Sequence, residues 1–218
     1  MSESFSSDSA GAAPLLILAT HNEHKVGELR NILGPLLPGL DPARIVSAAA
    51  FNLPEPVEDE VTFAGNALIK ARAVAAATGI LTVADDSGLC VDVLGGAPGV
   101  FSARWVGRHG DDLGNLNLLL AQLSDVPDEH RGAGFHCVAA MVTPDGREVV
   151  CEGVMRGSLA RSPRGENGFG YDPIFIPEGL TVSSSELSPG EKDAISHRGQ
   201  AFRSLAPEID RELSPHLS

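Results

Sequence analysis

The sequence lacks an apolar run of 18 residues, so it offers no helix that could span a membrane. It has three cysteines, Cys90, Cys137 and Cys151, and none stands in a CxxC spacing. An odd, scattered set excludes a disulfide framework and reads as reduced thiols in a reducing compartment. Basic residues are outnumbered: 16 Lys and Arg against 29 Asp and Glu leave a net charge of −13. Such a chain does not hold a nucleic-acid backbone by bulk charge. An anionic substrate would need local positive charge, or a metal ion. Lysine itself is rarest. Only Lys25, Lys70 and Lys192 are lysines, and arginine supplies the other basic residues. A bias toward arginine explains this plainly. It also marks each remaining ammonium as a candidate for a site that needs a compact charge.

What is present is an ordinary globular composition, 43% hydrophobic and 21% charged over 218 residues. A chain of this size buries about 70% of its unfolded surface, enough for a core without staples. Residues 1–14 carry Glu3 and Asp8 but no Lys or Arg. They lack the basic start of a secretory signal and read as a flexible extension, which with the cysteines gives a cytoplasmic expectation. The apolar run from Leu15 to Ala19 has the length of a buried strand. Asn22 then caps a helix with Val26, Leu29, Ile32 and Leu33 on one face, ending at Gly34 and Pro35. A short strand follows near Arg44–Ser47. Thr62 opens a second helix through Thr78, with Gly79 as its stop. ILTVAD reads as a strand entering a turn at DDSG, LCVDVL as another strand, and 111–124 as a helix. Residues 134–159 read as two long strands around Pro144-Asp145-Gly146, and 161–173 as a Gly-rich loop. From Ser183 the chain reads as mostly helical, with Pro207 interrupting it. Strands alternating with helices, then a hairpin, predict an α/β fold with a mixed sheet.

Five stretches carry chemistry. Thr20-His21-Asn22-Glu23-His24-Lys25 lies at a strand-to-helix junction, where free N–H groups and the helix dipole favour phosphate. It is not a Walker loop, and a plain polar cap is the alternative. Asp85-Asp86-Ser87 follows a buried strand, where adjacent carboxylates are costly unless paired or metal-bound. Such oxygen donors suit Mg²⁺ together with substrate phosphates. Glu55, Glu58, Asp59 and Glu60 precede the Thr62 helix. Acids there stabilise the helix in any case, and one of them can be a further metal ligand. Lys70 lies two turns inside that helix. Gly168-Phe169-Gly170-Tyr171-Asp172 pairs glycines with a ring, which lets backbone approach a flat ligand while the ring stacks; a tight turn with Phe169 as a core anchor is the alternative. Lys192, His197 and Arg198 form a late donor-rich group, and the remaining histidines show no metal spacing.

LLILATHNEHKVGEL, FAGNALIKARAVA, ADDSGLCVDVLGGAPGVFSARW, GFGYDPIF and EKDAISHRGQAF occur in one order. Together they closely resemble the inosine triphosphate pyrophosphatase family over about residues 15–205. The resemblance implies an elongated mixed β-sheet with flanking helices, forming two lobes around a nucleotide cleft. One nucleotide-hydrolysing domain then covers residues 15–206, with a tail at 207–218. It implies a homodimer and Mg²⁺. It implies hydrolysis of ITP, dITP or XTP to the monophosphate and pyrophosphate. Carried over by position, Thr20 through Lys25 form a phosphate loop and Lys70 a phosphate contact. Asp86 is the general base and a metal ligand, with Asp85 beside it, Ser87 on the substrate and Glu58 as second metal ligand. Phe169, Gly170, Tyr171 and Asp172, with Lys192, His197 and Arg198, form the base pocket. Arg198, a pure donor, would favour a 6-oxo base over adenine. His21 stands where the family often has Gly. A Maf-like pyrophosphatase is the nearest rival, but its Ser-Pro-Arg-Arg type loop is replaced here by His-Asn-Glu-His-Lys. A nucleotide sensor without turnover is the other.

Overall fold

The computed structural model describes residues 13–217, apart from the side chains of Glu23 and His24. Most of the expected extension therefore lies outside the described residues. Six strands are present among them: β1 (Leu16–Leu18), β2 (Ile45–Ser47), β3 (Thr82–Val91), β4 (Gly132–Val142), β5 (Glu148–Leu159) and β6 (Phe175–Pro177). They form one mixed sheet in the order β2-β1-β3-β4-β5-β6. The β1 strand pairs in parallel with β2 and β3, and every later pairing is antiparallel.

Among the described residues five α-helices flank the sheet: α1 (Glu23–Leu36), α2 (Phe63–Thr78), α3 (Asp112–Gln122), α4 (Pro189–Ile195) and α5 (His197–Leu213). Their caps follow from sequence. The Asn22 side chain accepts from the Lys25 N–H, and Thr62 accepts from Gly65. Gly79 closes α2 in the left-handed region at φ 66°. Along α1 and α5, Val26, Leu29, Leu33, Phe202, Leu205 and Ile209 pack with Leu16, Leu18, Val83 and Met141 on one face of the sheet. Ala71, Val74 and Ala75 of α2 cover the other face against Ile17, Ala84 and Val142. Further along β3–β5, α3 packs Leu116 and Leu119 against Leu89, Phe135 and Phe175.

Three expectations are corrected. DDSG is no turn, because β3 runs unbroken through Asp85, Asp86, Ser87 and Gly88. Its carboxylates are tolerated there because cations from other elements meet them. Gly88 is required within the strand, since a Cβ would strike the Gly99 carbonyl oxygen and the Ser102 hydroxyl. The α1 helix continues past Gly34 and holds Pro35 in its last turn. Pro207 does not interrupt α5, which runs on through Leu213. A proline there forfeits one helical hydrogen bond, but its ring faces solvent. Ile209 and Leu213 beyond it are buried, each worth about 1.5–3 kcal/mol, and this burial keeps the helix continuous.

Candidate active site

The site begins with the alternation of β3. Successive strand residues face opposite sides of the sheet. Asp85 and Ser87 thus turn toward α1 and α5, while Asp86 turns toward α2. Lys25 of α1 places Nζ 3.3 Å from Asp85 Oδ2. Arg198, in the first turn of α5, donates from Nε to the same oxygen at 3.1 Å. It also donates to Glu28 Oε2 at 2.6 Å and to Ser87 Oγ at 2.9 Å. Burial alone would raise the Asp85 pKa, but Lys25 and Arg198 reverse this and hold it well below the usual carboxylate range. Burial works against the Arg198 charge, and Asp85 and Glu28 outweigh it, so its pKa is raised.

On the α2 side, Asn66 donates from Nδ2 to Asp86 Oδ2 at 3.2 Å. The same Asn66 accepts from the Glu60 N–H, which fastens the acidic strap before α2. Lys70 Nζ lies 3.1 Å from Glu58 Oε1 and 3.7 Å from Asp86 Oδ1. Burial, joined by the Glu58 charge, raises the Asp86 pKa against the pull of Lys70 and Lys25. Burial would lower Lys70, but Asp86, Asp85 and Glu58 together raise it.

Both halves open on one cavity of about 420 Å³, within the usual range for small-molecule sites. One end carries Thr20, Asn22, Lys25, Glu58, Lys70 and Asp86. The other carries Phe169, Gly170, Tyr171, Asp172, Lys192 and His197, with Ser87 and Arg198 also on its wall. At that end Lys192 donates to Asp172 Oδ2 at 2.5 Å and stands 5.1 Å from the centre of the Phe169 ring. The Phe169 N–H donates to Asp172 Oδ2 at 2.9 Å, and the Tyr171 hydroxyl to the Ser102 carbonyl at 3.0 Å. Gly168 takes φ 77°, and a Cβ there would strike the Asp172 carboxylate. His197 stacks on Phe135 with ring centres 5.0 Å apart. Burial first, then Arg198 and Lys192, push its pKa well below the usual value, so the ring is neutral.

The structure thus gathers fourteen of the residues carried over from the family resemblance around one space, with Glu55 of the acidic stretch beside them. His21 is not among them; its Nδ1 lies 3.8 Å from Glu55 at the edge of the acidic strap. The Glu23 and His24 side chains lie outside the described residues. Arg198 lines the cavity and also belongs to the buried ion network. Three of its N–H groups are already taken by Asp85, Glu28 and Ser87, so a base could meet only the donors left over. Sequence reasoning missed Glu28, Phe135 and the role of Asn66. Glu28 was within reach of it, being one helical turn beyond Lys25 on the same face.

Among the described residues no three His, Cys, Asp or Glu side chains converge as a metal cluster. Glu58 and Asp86 do fit a hard cation as a pair. Both are oxygen donors on the cavity, both approach one ammonium, and the repulsion that raises Asp86 is what a cation would relieve.

The model of the Ham1 family matches residues 16–208. The chain belongs to the Ham1 family. Within it, a Streptomyces avermitilis protein named dITP/XTP pyrophosphatase is 60% identical over 91% of this chain and 98% of its own length. A Leifsonia xyli protein of the same name is 54% identical over 91% and 96%. Among solved structures, a HAM1 protein from Coxiella burnetii superposes with a TM-score of 0.80 at 40% identity, covering 91% of this chain and 99% of that one. A nucleoside-triphosphatase / dITP/XTP pyrophosphatase from Mycobacterium abscessus gives 0.69 at 52% identity, covering 88% and 98%. The mixed sheet and its flanking helices are therefore the Ham1 fold.

Proposed function

We propose that the protein hydrolyses non-canonical purine nucleoside triphosphates, ITP, dITP and XTP, to the monophosphate and pyrophosphate. The observation that carries this reading is the polarity of the cavity. Lysines and carboxylates crowd one end, and an aromatic platform with an ammonium beside it occupies the other. A triphosphate brings about four negative charges to a chain at −13, so binding needs the local cations of the first end. Lys25 and Lys70 meet the phosphates, together with Thr20 and Asn22. Phe169 stacks on the base, and Lys192 and neutral His197 meet its edge.

Glu58 and Asp86 would hold Mg²⁺. When bound, it supplies positive charge against the triphosphate and acidifies water at the reacting phosphorus. Asn66 fixes Asp86 Oδ2, leaving Oδ1 to take the proton of the water that attacks the α-phosphorus in line. Burial keeps Asp86 a stronger base than an exposed aspartate. Lys70, kept charged by its three acidic neighbours, stabilises the departing pyrophosphate.

The reading includes a homodimer and a cytoplasmic setting. Three free cysteines support the latter, and among the described residues no helix is long and apolar enough to cross a membrane. The test is pyrophosphate release from ITP, XTP, ATP, GTP and modified uridine triphosphates, with and without Mg²⁺. Metal-dependent release from ITP and XTP is expected. A preference for the uridine triphosphates would assign the Maf-like activity, and tight ITP binding without release would make the protein a sensor.

A further inference from the structure

Asp112 opens α3, yet it does not cap that helix. Its neighbour Asp111 does so, accepting from the Gly114 N–H at 2.9 Å. The Asp112 carboxylate reaches instead across the cavity wall. Its Oδ2 accepts from the Gly170 N–H at 3.1 Å, over 58 positions of chain. Gly170 takes φ 61° and stands between Phe169 and Tyr171. Both amide N–H groups at the tip of this loop are thereby held by carboxylates, Phe169 by Asp172 and Gly170 by Asp112. On the next residue, the Tyr171 hydroxyl is fastened to Ser102. The ring between these anchors is 38% exposed, so core packing alone does not fix it.

We propose that Asp112 is a positioning residue for the base: by holding Gly170 it sets the height of the Phe169 platform over the purine. This rests on the functional reading above and adds to it a wall of the base pocket supplied by α3. The carboxylate does not touch the reacting phosphates, which lie at the Lys70 end. Its loss should therefore weaken binding of base-bearing ligands and spare the chemical step.

The test compares the wild type with Asp112→Ala and Asp112→Asn, measuring kcat and KM for ITP and inhibition by IMP and by pyrophosphate. In Asp112→Ala, loss of a hydrogen bond to a charged acceptor should raise KM and the IMP inhibition constant about tenfold, with kcat and pyrophosphate inhibition near wild type. Asn keeps an acceptor oxygen at the same place and should restore both constants. Asp112→Glu keeps the charge in the first turn of α3 but displaces the acceptor. It should raise KM as well, and it serves should the alanine variant fail to fold. Unchanged KM in the Ala and Glu variants, or an equal loss of pyrophosphate affinity, overturns the positioning role alone. Wild-type protein that leaves ITP and XTP intact overturns the functional reading, and this inference with it.

Discussion

Asp85 and Asp86 are adjacent in β3 and face opposite sides of the sheet, and their partners differ accordingly. Asp85 meets Lys25 and Arg198, while Asp86 meets Asn66 and Lys70. One carboxylate is locked into an internal ion network. The other, buried but only partly compensated, is left with its pKa raised. Strand alternation thus gives two neighbouring carboxylates different surroundings.

Asp86→Asn should lower kcat by about 10²–10⁴-fold, the usual worth of a positioned general base. The amide keeps its contact with Asn66 and its shape, so calorimetric ITP affinity should stay within several-fold of wild type. A near-normal kcat would remove Asp86 from the role of base.

Asp85 is expected to add to the loss of stability in acid. Its folded pKa is depressed, so its contribution is full above the unfolded value of about 3.9 and is lost as pH falls toward the folded one. Urea unfolding between about pH 7 and pH 3 should show the wild type losing stability toward the acid end. Asp85→Asn should be less stable at neutral pH and lose less on acidification. Parallel slopes for the two proteins would contradict the network.

Arg198→Ala strands Asp85 and Glu28 in the interior. Breaking a buried pair costs about 3–5 kcal/mol, which urea denaturation reads directly. A loss below about 1 kcal/mol, typical of an exposed pair, would show that Arg198 anchors nothing.

Phe169→Ala should raise KM for ITP, since stacking of a base on an aromatic ring is worth about 1–3 kcal/mol. Inhibition by pyrophosphate should not change. Equal weakening of both would place the ring outside the base pocket.

Local signals were legible in the sequence. Thr62 and Gly79 bound α2 as their capping chemistry dictates, and the Leu15–Ala19 run holds β1. Lys25, the paired aspartates and the GFGYD loop stood out by residue type. What stayed hidden depends on distant parts of the chain. DDSG read as a turn because its cations come from Lys25, 60 positions away, and Arg198, 113 positions away. The persistence of α5 through Pro207 depends on the core that Ile209 and Leu213 enter. Asp112, in the first turn of α3, gains its partner only in the folded Gly170 loop.

The central claim is hydrolysis at the α-phosphorus of a 6-oxo purine triphosphate. Turnover of ITP with Mg²⁺ in ¹⁸O-labelled water, followed by mass analysis of the products, tests it most directly. The account predicts IMP carrying the label and unlabelled pyrophosphate. Labelled pyrophosphate, or IDP with inorganic phosphate, would contradict it.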